Sequence, residues 1–472
     1  MPASETLAAR VPHRTVLSRG TLAASRRTLV ASRSTMAPFA ALLIAVSLAA
    51  TLVTSLAAAQ DLTDLERKVV ELVDEQAEAS IRFLQEVVDV NSGTMNHAGV
   101  REVGRMFQAE LEALGFESRW IDMPDGVNRA GHLFAERRGG TGEHVLLIGH
   151  LDTVFEEDSP FQRFERDGDM ARGPGVEDMK GGDVVIVYAL KALHAAGALE
   201  DTNITVALTG DEESPGSPIE TSRRDLIAAG HEADVALGFE AGVGGTNTAT
   251  VARRGSSGWT LRVAGTRGHS SQIFSSRMGA GAVFEAARIL NAFYDEVRGE
   301  EYLTFNPGVI LGGTDVEYDE ALNRGSAFGK TNVIAQDLVV DGGLRFISEE
   351  QKTRTRARMQ EIAARSHPGT RAEIRFEDMY PAMSPTEGNY ALLETLDDVS
   401  RALGSGLIQP VDPGARGAAD ISFVAPYIDS LDGLGVVGAG GHTVEEVVDL
   451  TSLPVATRKA ALLIHRLTHM PR

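Results

Sequence analysis

Short apolar runs separated by helical stretches constrain the fold of this 472-residue chain more than any other feature. Four such runs, each bounded by glycine or acidic residues, occur at 145–149, 204–209, 235–239 and 434–437. Periodic helical patterns occupy 60–88, 99–114, 179–196 and 223–230. Strands that alternate with helices favour a mostly parallel sheet covered on both faces. We therefore predict an α/β fold with helices flanking the sheet.

The pattern changes at about residue 251, where segments of alternating polar and apolar residues begin, around 259–263, 333–340 and 372–376. Two helical stretches, 280–297 and 349–366, lie among them. This mixture predicts an α+β domain at 251–381, inserted into an α/β domain formed by 60–250 and 382–472. We call residues 251–381 the insert.

Residues 1–59 carry six arginines and a single acidic residue, and 36–59 are apolar and uncharged. An arginine-rich start, an apolar run and the closing residues Ala57–Ala59 are typical of a secretory signal peptide. We expect a cleaved leader and export to the periplasm or the extracellular space. The alternative is an uncleaved membrane anchor, the only case in which a membrane is a partner. Met36 is an alternative start.

The net charge of −21 makes nucleic acid an improbable partner, because an acidic surface repels phosphate backbones. The sequence contains no cysteine, which excludes disulfides, thiolate metal sites and cysteine nucleophiles. Any bound metal must therefore be held by histidines and carboxylates.

Such side chains follow the predicted strands. They are His150 and Asp152 after the first run, Glu212 and Glu213 after the second, Glu240 after the third, and His442 shortly after the fourth. Asp178 stands where a glycine-rich loop enters a helix. The carboxyl ends of parallel strands meet at one edge of a sheet, so these residues can converge. Imidazole and carboxylate ligands without thiolate make zinc the first candidate metal. Each residue alone is weak evidence, and their joint placement carries the prediction.

Five motifs occur in the order seen in one known family. They are GHLDTV at 149–154, GPGVEDMKGG at 173–182, DEE at 211–213, Glu240, and GHT at 441–443. From about residue 62 to 470 the chain resembles the aminoacylase and glutamate carboxypeptidase family of co-catalytic zinc peptidases. The resemblance implies a zinc-exopeptidase-like catalytic domain in which the insert serves as a lid and dimerisation domain.

The resemblance also implies two zinc ions per subunit, for which cobalt can substitute. One would be held by His150 and Glu240, the other by Glu213 and His442, with Asp178 bridging. Asp152 would fix the tautomer of His150, and a cis peptide bond would follow Asp178. Glu212 would take the proton of the attacking water and return it to the leaving amine.

Three residues of the insert match lid residues of the family. His269 resembles a histidine that reaches across a dimer interface to the partner's metal site, where it would stabilise the oxyanion. Asn332 and Arg345, expected in a strand pair, match residues that bind the carboxylate and carbonyl of the substrate. A guanidinium suits that role because it meets a carboxylate through two hydrogen bonds. The chain is therefore expected to be a homodimer.

The chain departs from the glutamate-releasing branch of the family in two places. Tyr380 stands where that branch has a basic residue, and no lysine follows Glu240 closely. Arg253 and Arg254 are candidates for the replacement charge. Asp420 matches a recurrent acid of the family without an assigned role.

We predict an exported dinuclear zinc metallopeptidase or amidohydrolase that cleaves an amide bond next to a free carboxylate. Its substrates would be small peptides or N-acyl amino acids, as for a carboxypeptidase, dipeptidase or N-acyl amino acid hydrolase. The alternative is a non-catalytic dimeric binding protein that keeps the fold. A phosphate-binding protein is disfavoured, because the glycine-rich stretch lacks the Lys-Ser/Thr of a phosphate loop.

Overall fold

The computed structural model describes residues 61–320 and 322–470. The predicted leader at 1–59 lies outside the described residues. Within the described part of the chain, no helix combines the length and apolarity needed to cross a bilayer.

The α-helices are α1 Asp64–Val88, α2 His97–Glu112, α3 Lys180–Ala196, α4 Ile219–Ser222, α5 Arg224–Glu232, α6 Gly281–Glu296, α7 Glu349–Ala364, α8 Glu387–Ala402 and α9 Ser452–His469. The strands before the insert are β1 Glu117–Ile121, β2 His132–Arg137, β3 His144–His150, β4 Glu165–Asp167, β5 Met170–Arg172, β6 Asn203–Thr209, β7 Val235–Gly238 and β8 Thr248–Ala249. Those within it are β9 Gly255–Gly265, β10 Thr304–Gly313, β11 Asp315–Asp319, β12 Arg324–Phe328, β13 Asp337–Phe346 and β14 Thr370–Asp378. Four short strands follow: β15 Gln409–Pro410, β16 Asp429–Leu431, β17 Gly438–Ala439 and β18 Val447–Asp449.

The central sheet has the order β1-β2-β6-β3-β7-β16. Strands β6, β3, β7 and β16 are parallel, while β1 and β2 form an antiparallel edge that the sequence did not indicate. Every residue of β3 is buried. Val145 and Leu147 belong to one apolar cluster and Leu146 and Ile148 to another, because successive side chains point to opposite faces. The predicted α/β fold, with a mostly parallel sheet between helical layers, is confirmed.

Helices α1, α3 and α9 pack together on one face of this sheet. Helix α1 begins four residues later than expected, because Thr63 and Glu66 form a capping box that fixes its start. Helix α3 ends at Ala196, and the following Gly197, with a positive φ of 77°, forms its left-handed C-cap.

The predicted strand at 434–437 is wrong. The strand that joins the sheet is β16, and Gly433, with a φ of 73°, ends the extended segment directly afterwards. Residues 434–437 continue past the sheet, with hydrogen bonds from Leu434 to Gly238 and from Gly435 to Glu240. Their apolar side chains fill the core without forming a ladder, which is why periodicity alone suggested a strand.

A second, antiparallel sheet with the order β10-β13-β9-β14 lies entirely within the insert. Helices α6 and α7 pack on it and close an apolar core around Trp259, Ile289, Phe293 and Met359. Strands β11 and β12 form a separate hairpin. The insert's status as an independent domain, with boundaries at 251 and 381, stays a prediction.

Candidate metal and catalytic site

The first group of candidate ligands surrounds His150, which is the last residue of β3. Its Nε2 lies 3.3 Å from Oδ1 of Asp178 and 3.8 Å from Oε1 of Glu240. Asp178 ends the glycine-rich loop before α3, and Glu240 follows β7. The peptide bond from Asp178 to Met179 is cis, as the resemblance implied.

The second group surrounds His442, whose Nε2 lies 3.1 Å from Oδ2 of Asp178 and 3.0 Å from Oε2 of Glu213. Asp178 thus belongs to both groups through different oxygens, as a carboxylate shared by two metal ions would. Within each group, the candidate ligand atoms lie within 4.8 Å of one another. One imidazole and two carboxylates per group form a donor set that fits zinc.

The charges of the two groups interact strongly. Burial disfavours the ionised form of Asp178, but hydrogen bonds to His150 and His442 hold the pKa of its carboxyl far below the usual range. Hydrogen bonds to Asp178 and Glu213 raise the pKa of His442 to about 11. Burial raises the pKa of Glu240 to about 7. Carboxylates that lie close together and are shielded from solvent need a nearby positive charge to stay ionised, or must bind protons. A divalent cation can provide that charge.

Asp152 is fully buried beneath both groups. The His150 Nδ1 lies 3.0 Å from the backbone oxygen of Asp152 and 3.5 Å from its Oδ1. The carboxylate of Asp152 also accepts hydrogen bonds from the Thr94 hydroxyl at 2.6 Å and from the backbone N–H groups of Glu212 at 3.0 Å and Glu213 at 3.2 Å. Asp152 therefore positions the loop after β6 as well as the ring of His150.

Glu212 is adjacent to Glu213 but outside both ligand groups. Burial raises the pKa of the Glu212 carboxyl well above its usual range. Its backbone is held from two sides, since the N–H donates to Asp152 and the carbonyl accepts the Tyr380 hydroxyl at 2.8 Å. Tyr380 therefore positions the Glu212 loop.

Arg223 organises a buried network that the sequence analysis missed. Its side chain is fully buried, and it pairs with Asp211 at 2.5 Å and with Asp420 at 2.7 Å. Asp420 also accepts the hydroxyl of Thr209, the last residue of β6. Asp420 thereby receives a structural role, which is to hold Arg223 beneath the Asp211–Glu213 turn. Arg223 carries no signal in the sequence that distinguishes it from its exposed neighbour Arg224.

Glu446 is a second missed residue. It is buried and accepts backbone N–H bonds from Gly175 at 3.3 Å, Glu177 at 2.9 Å and Asp178 at 3.2 Å. It comes four residues after His442, so it ties the loop of Asp178 to the loop of His442. The preceding residue, Glu445, is exposed, and the sequence does not tell the two acids apart.

The three candidates in the insert are exposed. His269 and Asn332 lie on adjacent loops, because Ser270 donates a backbone hydrogen bond to Asn332 at 2.9 Å. We expected Asn332 and Arg345 in a strand pair, and this expectation is wrong for Asn332. Asn332 lies in a turn, because strand β13 begins only at Asp337. Among the described residues, none of the three is hydrogen-bonded to a candidate metal ligand. The structure thus brings the candidate ligands together at the sheet edge, but it does not bring the three insert residues into hydrogen-bond contact with them.

The chain is similar in sequence to a known family and to characterised proteins. The model of peptidase family M20/M25/M40 matches residues 146–466. The chain is 26% identical to carboxypeptidase G2 of Pseudomonas sp. (strain RS-16), covering 89% of this chain and 96% of that protein. It is also 26% identical to succinyl-diaminopimelate desuccinylase of Gluconacetobacter diazotrophicus, covering 76% and 90%.

Solved structures share the fold. Aminopeptidase PepT from Bacillus cereus superposes with a TM-score of 0.66 at 17% identity, covering 83% of this chain and 98% of that one. The YXEP protein of Bacillus subtilis, described as a dinuclear metal binding peptidase from the M20 family, has a TM-score of 0.60 at 15% identity, covering 84% and 99%. With the family model matching most of the chain, the protein belongs to peptidase family M20/M25/M40 and is a metallohydrolase that acts on peptide or amide bonds.

Proposed function

We propose that this chain is an exported dinuclear zinc amidohydrolase that cleaves an amide or peptide bond next to a free carboxylate. The observation that carries the proposal is the shared carboxylate of Asp178, whose two oxygens belong to separate ligand groups beside Glu212. The names of the relatives, a carboxypeptidase and a desuccinylase, agree with substrates that are peptides or acyl amino acids.

His150, Asp178 and Glu240 would hold one zinc ion, and Asp178, Glu213 and His442 the other. Bound there, the pair of ions supplies Lewis-acid polarisation of the scissile carbonyl and lowers the pKa of water.

Glu212 is the proposed general base and acid. Its carboxylate accepts the proton of the attacking water and delivers it to the leaving amine, so that one group serves both halves of the reaction. Two neighbours keep it in place, because Asp152 and Tyr380 fix the backbone on either side of its side chain. Adjacent Glu213 is engaged with His442, which leaves Glu212 alone free for proton transfer.

The insert is proposed to complete the site. Arg345 and Asn332 would bind the substrate carboxylate and carbonyl, and His269 would donate to the oxyanion of a partner subunit's site. The exposure of all three supports this assignment, since an exposed imidazole or guanidinium is available to a substrate or to a second chain.

The test is an assay of zinc-loaded protein for released amine. N-acyl amino acids, acyl-glutamates and dipeptides would be compared with their C-terminally amidated counterparts. We expect turnover of the free acids, loss of turnover on chelation, and recovery with zinc or cobalt. Cleavage of the amidated substrates alone would contradict the role of Arg345, and activity that survives complete chelation would contradict the metal mechanism.

Export has its own test. We expect the protein expressed from Met1 to be recovered outside the cytoplasm with its N-terminus at Gln60, after Ala57–Ala59, as N-terminal sequencing would show. An intact leader on membrane-bound protein would favour the anchor.

A further inference from the structure

The two histidines of the ligand groups are held in different ways. His150 ends strand β3, its side chain is 1% exposed, and its Nδ1 lies 3.0 Å from the backbone oxygen of Asp152. His442 lies in the loop between β17 and β18, and its side chain is 59% exposed. Within the described part of the chain, its Nδ1 makes no hydrogen bond. Histidines that bind metal usually donate the second ring N–H to a partner that fixes the ring. The position of the His442 ring therefore depends on the backbone that carries it.

That backbone has an uncommon conformation. His442 has a φ of 65°, in the left-handed region that residues with a side chain seldom occupy. Hydrogen bonds within the loop run to the carbonyl of Gly440, which accepts the backbone N–H of Thr443 at 3.0 Å and its hydroxyl at 2.7 Å. These bonds shape the loop without tying it to the other candidate ligands. A strained residue keeps its conformation only where surrounding contacts impose it.

Glu446, at the end of the same loop, supplies one such contact. Its buried carboxylate reaches across to the glycine-rich loop, where Oε1 accepts the backbone N–H groups of Glu177 and Asp178 and Oε2 accepts that of Gly175. The backbone N–H of Glu446 donates to the carbonyl of Thr443 at 3.1 Å. Glu446 thus fixes the end of the His442 loop against the backbone that carries the shared carboxylate.

Glu177 makes the reverse connection. Its half-buried carboxylate accepts the backbone N–H of Gly441, the residue directly before His442. The two loops approach closely there. A Cβ atom at Gly438 would lie 3.1 Å from Cβ and Cδ of Glu177, and a Cβ atom at Gly441 would lie 3.5 Å from its Oε2. Each loop therefore contributes a carboxylate that binds backbone N–H groups of the other loop. We call Glu177 and Glu446 the carboxylate clamp.

We propose that the carboxylate clamp positions His442 and so completes the second ligand group, formed by Asp178, Glu213 and His442. Glu177 and Glu446 are positioning residues, since neither belongs to a ligand group. Their hydrogen bonds run to backbone N–H groups and not to ligand side chains, so the clamp does not require a metal ion to form. The inference rests on the proposed function, which assigns a zinc ion to this group.

Zinc affinity tests the clamp without relying on turnover. Competition with a chelator would measure the dissociation constants of both zinc ions. We expect Glu177→Ala to weaken the binding of one ion by about 10- to 100-fold and to leave the other unchanged. Glu446→Gln should weaken the same ion at least as much. Glu177→Gln should restore the affinity, because an amide oxygen still accepts the N–H of Gly441.

Glu445→Ala is the matched control. Glu445 is exposed and lies in the same loop, so this substitution removes a carboxylate without touching the clamp. It should bind both zinc ions as the wild type does. The unchanged ion shows that each variant is folded. Equal weakening of both ions in Glu177→Ala, or an equal effect of Glu445→Ala, would overturn the inference.

A double-mutant cycle shows whether Glu177 acts through His442. His442→Ala should keep one zinc ion, held by the group around His150. Adding Glu177→Ala to this variant should not change the affinity for that ion any further. A further loss would mean that Glu177 acts on the first ligand group, which contradicts its role as a positioning residue for His442.

Hydrogen exchange of the metal-free protein separates this inference from the proposed function. Mass spectrometry would follow the amides of 438–446. We expect faster exchange in Glu177→Ala, and wild-type exchange in Glu177→Gln and Glu445→Ala. Wild-type protein that binds fewer than two zinc ions would contradict the proposed function, while faster exchange in Glu177→Ala would still support the clamp. Two zinc ions bound by Glu177→Ala with wild-type affinity, together with wild-type exchange, would overturn the inference and leave the proposed function standing.

Discussion

The candidate residues at the edge of the central sheet and those in the insert differ in how the chain holds them. Asp152 alone accepts three hydrogen bonds beneath the ligand groups, and Arg223 and Glu446 hold the two flanking loops. By contrast, the only side-chain partner of His269 among the described residues is Ser271, whose hydroxyl lies 2.8 Å from Nδ1. Buried hydrogen bonds and ion pairs thus fix the residues at the sheet edge, whereas His269, Asn332 and Arg345 are exposed.

The largest effect is expected from Glu212→Gln. Removing the group that carries the proton should lower kcat by about 10²- to 10⁴-fold. Metal analysis should still find two zinc ions, because Glu212 is in neither ligand group. Exposed Glu220→Gln serves as the control and should be fully active. Full activity of Glu212→Gln would refute the mechanism, and loss of zinc would make Glu212 a ligand.

Substitution of His269 tests the other half of the comparison. His269→Ala should lower kcat by about 10²- to 10³-fold if its ring donates to the oxyanion. Mixing inactive His269→Ala and Glu212→Gln proteins separates action within a subunit from action across subunits. If His269 acts on the partner's site, random pairing into dimers restores about a quarter of the wild-type sites. No recovery in a mixture proven to exchange subunits would place His269 in its own chain's site.

Asp152→Asn probes the positioning of the sheet edge. An amide offers one acceptor oxygen where the carboxylate offers two, so the Glu212–Glu213 backbone and His150 lose part of their support. Zinc affinity or kcat should fall about 10- to 100-fold. Thr94→Val removes one of these hydrogen bonds and leaves the carboxylate, so its effect should be smaller. Equal zinc affinity and kcat in Asp152→Asn and wild type would show that the loop is held without Asp152.

The smallest effect concerns a fully buried carboxylate within the insert. Burial alone would raise the pKa of Glu285, but hydrogen bonds from Arg288 and from the backbone of His367 lower it below its ordinary value of 4.5. A carboxyl group whose pKa is lowered by folding stabilises the folded state at pH values above its ordinary pKa of 4.5. That contribution is lost as the pH falls from the ordinary pKa through the lowered one. Glu285→Gln should therefore reduce the free energy of unfolding by about 1 kcal/mol at neutral pH.

Urea unfolding at several pH values checks this prediction. The difference between wild type and Glu285→Gln should shrink as the pH is lowered through 4.5. Exposed Glu317→Gln, in the same region, should stay within about 0.5 kcal/mol of wild type throughout. A difference that grows in acid would mean that Glu285 is protonated in the folded protein.

Local sequence patterns were sufficient to predict the helices and strands that are long or fully buried. The runs that became β3, β6 and β7 are continuous and apolar, and the residues directly after them could be placed at one sheet edge from connectivity alone. The antiparallel β1–β2 edge was missed, and the run at 434–437 was misread because a glycine with positive φ ends β16 just before it. Asn332 was misplaced for a related reason, since the polar segment before β13 forms a turn.

The sequence by itself determined the α/β architecture through its periodicity and the donor chemistry through the absence of cysteine, and the resemblance of its short motifs to a known family implied the five candidate ligands. Only the tertiary structure decided which side chains support them. Arg223, Tyr380 and Glu446 meet the site through contacts across large sequence separations, from which a local pattern gives no signal. Arg253 and Arg254, the two candidates for the replacement charge, could be told apart only in three dimensions, because Arg253 is buried and paired with Asp432 whereas Arg254 donates to a hydroxyl and a carbonyl.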